Sequence, residues 1–417
     1  MTIIAFDKTV HKQPYTTILF LLSVFLLLFF RNPRLFIYPE PWAEDMVIFI
    51  PQEYDIGFPG TAFTLYAGYI HLLPRIITWF SMKFDMGYVM LLMNWIVLFF
   101  KILTLYLIYK SKEITSGLIK FSLIAYLVLA PFIDEIYNNV TNLQWWLIPL
   151  MAALLLRRES NIYVLLFDTC LLILAGLTGV NSIMFAIPCV YLLYRVRSRY
   201  CLIKVSVIII CALVQFYCAS KAGRIGQITY TWGGVLDIIH MFVNRVIYHT
   251  LFNFHSQSFI NFFVFFFYLT ILSFNLYFYR KQVAVHFILI FTCIYLVSIF
   301  YHLYKVTHGQ IPNHWILNFN HERYFVFAKI CSFILLISSL NIVFKFLFSY
   351  KNYKRLMAYS CFLICLLLLK NYTIDFDFQY KYYNEVQQFK SAKSGEVVRF
   401  HFPPTTWHGG YHDITKK

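Results

Sequence analysis

The residue pair with the clearest chemical potential is Glu44-Asp45, which follows Pro41, Trp42 and Ala43. Two adjacent carboxylates beside an indole ring repel each other and are partly shielded from water, and both effects raise a carboxyl pKa. A carboxylate whose pKa is near neutrality can act as a general base toward a hydroxyl group. Acidic residues are also typical of the first turn of a helix, where the helix dipole favours them. The sequence therefore predicts Asp45 or Glu44 as a catalytic base, with a helix start as the alternative.

A second polar segment, residues 134–146, joins two strongly apolar runs. Its side chains suit a sugar, because Asp, Asn and Gln form hydrogen bonds with hydroxyl groups and the flat ring of Trp covers an apolar face. The alternative is that acids at the end of an apolar run only reach water. We predict that six residues of this segment contact a carbohydrate: Asp134, Glu135, Asn139, Asn142, Gln144 and Trp145.

Cationic side chains near the ends of apolar runs could hold a phosphate group. Arginine is the better partner because its planar guanidinium binds phosphate through two parallel hydrogen bonds. We predict this role for Arg75, Arg245 and Arg323, with lipid headgroup contact as the alternative. His249 and His321 lie close to two of these arginines, but no histidine pair has carboxylate-backed ligand spacing, so we predict neither metal nor cofactor.

Three ionisable residues, Lys101, Asp168 and Lys329, lie inside apolar runs. Charges in a membrane interior are costly and often mark a transport path. They therefore keep a transporter as an alternative function.

The composition determines the class of protein. Of 417 residues, 60% are hydrophobic and only 13% are charged, about half the charged fraction of a soluble domain. The formal net charge is +16, yet the basic residues bracket apolar runs, as Arg157-Arg158 and Arg280-Lys281 do. This pattern is typical of cytoplasmic loops and argues against a nucleic-acid partner. The nine cysteines lie within or beside apolar runs and are interpreted as packing residues.

The polar segments must be positioned by helices that cross a bilayer. A span needs about 20 mainly apolar residues, and the sequence predicts an all-α polytopic membrane protein with about 9–11 such helices. The candidate spans are residues 15–30, 87–109, 118–136, 142–156, 161–177, 180–194, 202–219, 257–279, 284–304, 325–348 and 356–370.

The distribution of Lys and Arg predicts a cytoplasmic N-terminus. The long segments on the opposite side are then 31–86, 220–256 and the C-terminal tail 371–417. Most acidic residues fall in these outer segments, so chemistry is expected there.

Residues 67–83 are interpreted as a helix in the membrane interface, within the first outer loop. His71 and Arg75 would share one face of it, and Leu72 and Ile76 another. A membrane span is the alternative, but it would invert every later loop.

Four motifs in the first half of the chain resemble a known enzyme family. They are Trp-Ala-Glu-Asp at 42–45, Tyr-Ala-Gly-Tyr-Ile-His-Leu-Leu-Pro-Arg at 66–75, Asn139 with Asn-Leu-Gln-Trp at 142–145, and Gly-Leu-Thr-Gly at 176–179. Together these motifs look like those of the phage-borne, serotype-converting O-antigen glucosyltransferases of enteric bacteria and their membrane relatives.

The resemblance implies a GT-C-like transmembrane domain in residues 1–370 and a small periplasmic cap in residues 371–417. It implies a bacterial inner-membrane location with a periplasmic active site, to which Tyr69 and His71 contribute substrate contacts. The implied donor is polyprenyl-phosphate-glucose, which a donor synthase makes and a flippase brings outward. The implied acceptor is a lipid-linked O-antigen repeat unit.

We therefore predict an inverting glucosyltransferase. Asp45 or Glu44 would take the proton of an acceptor hydroxyl while its oxygen attacks the anomeric carbon and polyprenyl phosphate leaves. An O-antigen polymerase or ligase is one alternative, and a lipid-linked sugar transporter or flippase is the other.

Overall fold

The computed structural model describes residues 14–114, 117–130, 136–158, 161–224, 232–251, 259–306, 325–369, 372, 381–403 and 410–417. The predicted site residues Asp134, Glu135 and Arg323 lie outside this part of the chain. The described part is mostly α-helical, with two short strands near the C-terminus.

The helices are numbered here in chain order. They are α1 (Pro14–Arg31), α2 (Arg34–Ile37), α3 (Ile50–Asp55), α4 (Leu72–Ser81), α5 (Met86–Lys110), α6 (Gly117–Leu129), α7 (Leu143–Leu156), α8 (Ile162–Gly176), α9 (Asn181–Val196), α10 (Arg199–Lys221), α11 (Trp232–Phe242), α12 (Ile260–Phe278), α13 (Val283–Val306), α14 (Val326–Leu347), α15 (Tyr350–Leu369) and α16 (Tyr382–Ser391). Shorter turns supplement them: π-helical turns at Asp45–Phe49 and Val243–Ile247, and a 3-10 turn at Tyr248–Thr250.

The apolar helices coincide with the predicted runs. Five of them, α5, α10, α12, α14 and α15, are long and apolar enough to cross a membrane. Shorter apolar helical stretches occur in α1, α6, α7, α8, α9 and α13. The prediction of a mostly helical protein with apolar helices that could span a membrane is confirmed, whereas the number of spans stays a prediction.

Helix α4 lies within the region interpreted as an interfacial helix. Its ten residues extend about 15 Å at 1.5 Å per residue, half of a bilayer core of about 30 Å. It is therefore too short to cross a bilayer alone. His71, just before it, and Arg75 are buried, whereas Leu72 and Ile76 are only half-buried. The two predicted faces thus differ in burial.

Helix α5 is the central support of the region around Glu44 and Asp45. It packs against α1, α4, α6 and α7. Its first turn is capped by Asp85, whose Oδ1 accepts a hydrogen bond from Gly87 N–H at 2.8 Å. Val89, Met93 and Val97 recur every four residues and are fully buried, so one apolar face of α5 lies against its neighbours.

The C-terminal cap, defined as residues 381–403 and 410–417, folds as a helix on a hairpin. Strands β1 (Val397–His401) and β2 (Tyr411–Thr415) pair antiparallel, and α16 packs against β1. Val386 and Phe400 are fully buried between them. Such a small unit depends on a few large apolar contacts.

The C-terminal cap is fastened to the segment that carries the acidic pair. The Ala43 N–H donates to the Pro403 carbonyl at 3.0 Å, and the Lys417 N–H donates to the Tyr54 hydroxyl at 2.8 Å. The C-terminal cap thus forms part of the surroundings of Glu44 and Asp45.

We expect Phe400→Ala to release the C-terminal cap. The Phe400 ring lies 5.8 Å from that of Phe389, and loss of a buried Phe costs about 3–5 kcal/mol. Limited proteolysis should cut the tail of this variant at least tenfold faster while the helical bundle stays intact. Val397→Ala, at a position on the same strand that is 60% exposed, is the matched control. Equal proteolysis of the two variants would contradict this account of the C-terminal cap.

Candidate functional site

Glu44 and Asp45 lie at the start of the π-helical turn Asp45–Phe49, and both side chains are buried. Asp45 occupies the first turn of this helical segment, as the helix-start interpretation expected. Glu44, at the N-cap position, makes no capping hydrogen bond through its side chain. The two adjacent carboxylates contact different parts of the chain, so each has its own chemistry.

Asp45 is held by the segment that links α6 to α7. Its Oδ1 accepts hydrogen bonds from the Thr141 N–H at 2.9 Å and the Thr141 hydroxyl at 2.6 Å. Its Oδ2 accepts one from the Val140 N–H at 3.1 Å. A carboxylate has about four lone-pair positions, so one position on Oδ2 remains for a further donor.

Burial raises the pKa of Asp45 to about 7, and the nearby Glu44 charge adds to this effect. The three hydrogen bonds from Thr141 and Val140 lower the pKa but do not offset the burial. The raised pKa predicted from the sequence is therefore found at Asp45. Its carboxyl group is about half ionised at neutral pH.

Asp45 also lines an open cleft with about 320 Å³ of empty space. The polar side chains of this cleft come from three separate parts of the chain: Glu40, Trp42, Asp45, Asn94, Asn138 and Asn139. Leu35 and Pro403 complete the lining, so the C-terminal cap supplies one wall. We call this space the carboxylate cleft.

Sequence reasoning missed Glu40, Asn94 and Asn138. Glu40 is buried beside the cleft, and only its position four residues before Glu44 hinted at a role. Asn94 interrupts the apolar run of α5, which was a usable signal because polar groups inside such runs need partners. The Asn94 Nδ2 donates to the backbone carbonyl of Leu35 at 2.8 Å, and the backbone carbonyl of Asn94 accepts from Asn138 Nδ2 at 3.1 Å.

Glu44 faces a separate cluster of aromatic and basic side chains. The Tyr66 hydroxyl donates to Glu44 Oε1 at 3.5 Å. The Tyr66 ring lies 5.5 Å from that of His71 and 6.0 Å from that of Phe49. The Arg75 guanidinium carbon lies 4.7 Å from the centre of the Phe49 ring.

His71 and Arg75 are both fully desolvated in this cluster. Burial, with a contribution from the Arg75 charge, lowers the pKa of His71 to about 4, so its imidazole is neutral at neutral pH. Burial lowers the pKa of Arg75 to about 10, against the attraction of Glu53, so its guanidinium remains charged. Within the described residues, Nε and Nη1 of Arg75 have no hydrogen-bond acceptor. Neither residue lines the carboxylate cleft.

The second and fourth motifs of the family resemblance meet through their backbones. Leu72 N–H donates to the Leu177 carbonyl at 3.0 Å, and Gly179 N–H donates to the Ile70 carbonyl at 2.9 Å. The Gln215 side chain forms two hydrogen bonds with the backbone of Ile70. Its Oε1 accepts from the Ile70 N–H, and its Nε2 donates to the Ile70 carbonyl. These contacts hold the start of α4 against the turn between α8 and α9.

Gly179, in this turn, packs against Gln144 of the third motif. We expect Gly179→Ala to destabilise the protein. Its φ is +75°, and an added Cβ would lie 1.9 Å from Gln144 Oε1. The strained backbone and the displaced Gln144 should together cost about 1–3 kcal/mol, seen as a lower thermal midpoint. Gly117→Ala, where a Cβ would have nothing within 4 Å, is the matched control. A midpoint unchanged in both variants would refute this packing argument.

Only part of the predicted sugar-binding segment reaches the carboxylate cleft. Asn139 lines it, and its Oδ1 accepts from the Asn142 N–H at 2.8 Å. Gln144 contacts Gly179, and Trp145 lines a different, apolar cavity. Tyr69 pairs with Tyr66 in a tight backbone turn. The substrate contacts of Gln144 and Tyr69 stay predictions, and neither residue lines the carboxylate cleft.

Arg245 does not line the carboxylate cleft. It is fully buried in the π-helical turn Val243–Ile247, with its guanidinium carbon 4.8 Å from the centre of the Phe325 ring. The position of Arg245 outside the lining of the cleft gives no support for its predicted contact with a phosphate.

Asp168, considered for a transport path, is engaged in ion pairs. Its carboxylate lies 3.1 Å from Arg157 Nη1 and 3.4 Å from Lys204 Nζ. Lys204 also donates to the Leu154 and Arg157 carbonyls at the end of α7. This network ties α7, α8 and α10 together, which explains Asp168 without a transport role.

Among the residues described, no group of three or more His, Cys, Asp or Glu side chains is placed to hold a metal ion. The carboxylate cleft is lined by carboxylate, amide and indole groups. Comparison with known protein-family models and with curated proteins finds no match to the chain.

Proposed function

We propose that the chain is a membrane glycosyltransferase that moves glucose from polyprenyl-phosphate-glucose to a lipid-linked O-antigen repeat unit. The observation that carries this proposal is the carboxylate cleft, in which Asp45 and Glu40 lie beside Trp42 and the amides of Asn94, Asn138 and Asn139. Carboxylate and amide groups suit sugar hydroxyls, and an indole ring suits an apolar sugar face. The family resemblance of residues 42–45 and 66–75 supplies the donor and the acceptor.

Asp45 is the general base of the proposed reaction. The acceptor hydroxyl donates to the remaining lone pair of Oδ2, while Val140 and Thr141 hold the carboxylate still. The hydroxyl oxygen then forms a bond with the anomeric carbon of glucose as the bond to the phosphate oxygen breaks. The proton moves to Oδ2, and polyprenyl phosphate leaves as an anion. A single displacement of this kind inverts the anomeric configuration.

The pKa of Asp45 supports this role. A base works best when its pKa is close to the working pH, and burial brings the pKa of Asp45 to about 7. Glu44 contacts Tyr66 and lies outside the lining of the carboxylate cleft. We therefore assign the base to Asp45 and a positioning role to Glu44.

A membrane setting fits a lipid-linked donor. Each buried methylene of a polyprenyl chain contributes about 0.8 kcal/mol to membrane retention, so the enzyme must meet the donor at the bilayer. The active site is assigned to the periplasmic face of a bacterial inner membrane, and the fold to a GT-C-like bundle of 9–11 spans, on the family resemblance and on the distribution of charges.

The experiment is a transfer assay with purified protein in nanodiscs. Polyprenyl-phosphate-glucose labelled in the sugar is mixed with a lipid-linked O-antigen acceptor, and the product linkage is assigned by NMR. The proposal predicts labelled product with an inverted anomeric centre. A product with the donor configuration would refute the single displacement, and absence of transfer from an intact donor would refute this donor.

A further inference from the structure

Asn138 is a buried residue of the carboxylate cleft whose side chain is only partly used by the protein. Its Nδ2 donates to the backbone carbonyl of Asn94 at 3.1 Å. A carbonyl oxygen accepts only from a donor, so this contact determines which end of the Asn138 amide is the oxygen. Within the described residues, Asn138 Oδ1 accepts no hydrogen bond.

A buried amide oxygen without a donor is destabilising, because it has lost its hydrogen bonds to water and gained none in the fold. In the wall of a binding cleft, such an atom is explained when a bound ligand supplies the donor. The ligand group must then carry a proton, as a hydroxyl group does. An ionised carboxylate has only acceptors and does not satisfy Oδ1.

Asn138 belongs to the same short segment that holds Asp45. The Val140 N–H, two residues later, donates to Asp45 Oδ2 at 3.1 Å, the oxygen assigned to the reacting hydroxyl. The Cα atoms of Asn138 and Val140 are at most about 7 Å apart, because two extended residues span no more. Asp45 and Asn138 also line the same cleft. A single sugar unit, which carries several hydroxyl groups, therefore suits both oxygens.

The lining of the cleft favours the acceptor sugar over the lipid phosphate of the donor. Among the described residues of this lining, none is Lys, Arg or His, so no cation is in place to pair with a phosphate. Trp42 and Pro403 add apolar surface, which suits the face of a neutral sugar ring. We therefore take the acceptor sugar as the occupant of the cleft.

We propose that Asn138 is a specificity-determining residue that binds a second hydroxyl group of a neutral acceptor sugar, while Asp45 binds the hydroxyl group that reacts. Two contacts to one sugar orient it about the reacting oxygen. An acceptor that lacks the second hydroxyl leaves Oδ1 buried and unpaired, so it is rejected. The inference rests on the proposed function for the identity of the acceptor, but the preference for the hydroxyl is measured by binding, without any transfer step.

Binding is tested with the full chain in nanodiscs and without donor. The probes are the lipid-linked O-antigen repeat unit and its monodeoxy analogues, each of which lacks one hydroxyl group. A ligand of the folded state raises its thermal midpoint, so a titration of the midpoint gives the apparent affinity. We expect at least one analogue to bind the wild type at least tenfold more weakly than the complete repeat unit does. Equal affinity for the repeat unit and every analogue, or absence of binding, would overturn the proposal.

Asn138→Leu tests whether Asn138 is the contact of this hydroxyl. The variant lacks the amide oxygen, so it should bind the complete repeat unit at least tenfold more weakly and should no longer distinguish it from the analogue. Such non-additivity of a protein change and a ligand change indicates that the two groups interact. A preference in Asn138→Leu equal to that of the wild type would overturn the assignment.

Asn138→Asp separates the amide oxygen from the Nδ2 contact with Asn94. It keeps an acceptor oxygen but loses the donor to the Asn94 carbonyl, and it should retain at least a threefold preference for the complete repeat unit. Loss of the preference in both variants would show that Asn138 acts only through its contact with Asn94 and would overturn the proposal.

Asn275→Leu is the matched control. Asn275 is a fully buried asparagine of α12 that does not line the cleft. Its Nδ2 donates to the Ile271 carbonyl at 2.9 Å, and its Oδ1 has no donor within the described residues. This variant should keep the tenfold preference of the wild type. Loss of the preference in Asn275→Leu would show that it reports the integrity of the helical bundle and not a contact with Asn138.

Failure of the inference and failure of the proposed function give different results. Transfer by the wild type, together with an unchanged hydroxyl preference in Asn138→Leu, would overturn the inference and leave the function intact. A preference that depends on Asn138 in a protein that transfers no sugar would overturn the function and leave the inference intact. Weaker binding of polyprenyl-phosphate-glucose by Asn138→Leu, with unchanged binding of the repeat unit, would place the donor sugar in the cleft and overturn the inference.

Discussion

Asp45→Asn is expected to reduce the rate of glucose transfer at least a hundredfold at pH 7.5. An amide cannot take the acceptor proton, and loss of a general base typically costs about 10² to 10⁴ in rate. The Asn side chain also places its NH₂ group against the N–H of either Val140 or Thr141 and leaves that buried donor without an acceptor, at a cost of about 1–3 kcal/mol in stability. Initial rates are therefore compared at equal amounts of folded protein in nanodiscs.

Thr141→Val is the matched control for this experiment. It removes the hydroxyl that donates to Asp45 Oδ1 at 2.6 Å but keeps both backbone donors and the carboxylate. We expect only a few-fold loss of rate at pH 7.5. A hundredfold loss of rate in Thr141→Val and no loss in Asp45→Asn would contradict the assignment. It would show that Thr141 affects the rate through packing and that Asp45 is not the base.

The second large effect is a dependence of transfer on pH. The base acts in its ionised form, and burial raises the pKa of Asp45 to about 7. The rate should therefore fall about tenfold per pH unit below pH 7 and level off above it. Thr141 lowers the pKa of Asp45, so Thr141→Val should move the acid limb to higher pH. A flat profile between pH 5 and 8 with a stable donor would contradict the assignment.

The same raised pKa of Asp45 predicts that its contribution to the stability of the fold decreases as the pH rises, whereas the transfer rate increases. The folded pKa of Asp45 lies above its ordinary value of 3.8, so the folded state binds the proton more tightly than the unfolded state does. This contribution is fully present below about pH 4 and is lost as the pH rises toward 7, by about 1.4 kcal/mol per pH unit. In Asp45→Asn this slope should disappear from thermal unfolding curves recorded between pH 4 and 7.

Much of the fold could be predicted because membrane helices follow directly from apolar length. The runs that gave α5, α10 and α14 contain few charges, and each became a helix long enough to cross a membrane. The non-spanning interpretation of residues 67–83 also agrees with the ten residues of α4. Apolar length therefore predicted these elements without tertiary information.

The candidate site could be predicted only where local chemistry was sufficient. Glu44 and Asp45 stood out because they are adjacent to each other and close to Trp42 in the sequence. The partners of Asp45, Val140 and Thr141, lie about 95 residues away in the sequence, and no periodicity reports a contact over that distance. Glu40 was missed for the same reason, because its part in the cleft depends on α5 and on the C-terminal cap.

Lys101 shows a further limit of sequence reasoning. A lysine within an apolar run signals either a transport path or a side chain that reaches the membrane surface. The structure places its Nζ among aromatic rings beside Arg31. That surrounding depends on Tyr137 and Trp146, which lie on a segment and a helix distant in the sequence.

The most direct test of the central claim is the transfer of glucose from polyprenyl-phosphate-glucose by wild-type protein and by Asp45→Asn, side by side. Both are reconstituted in nanodiscs with the same donor and the same lipid-linked O-antigen acceptor, and both are shown to be folded by thermal unfolding. The account predicts transfer by the wild type and a loss of at least a hundredfold in Asp45→Asn. Equal transfer by the two proteins, or no transfer by a folded wild type from an intact donor, would contradict it.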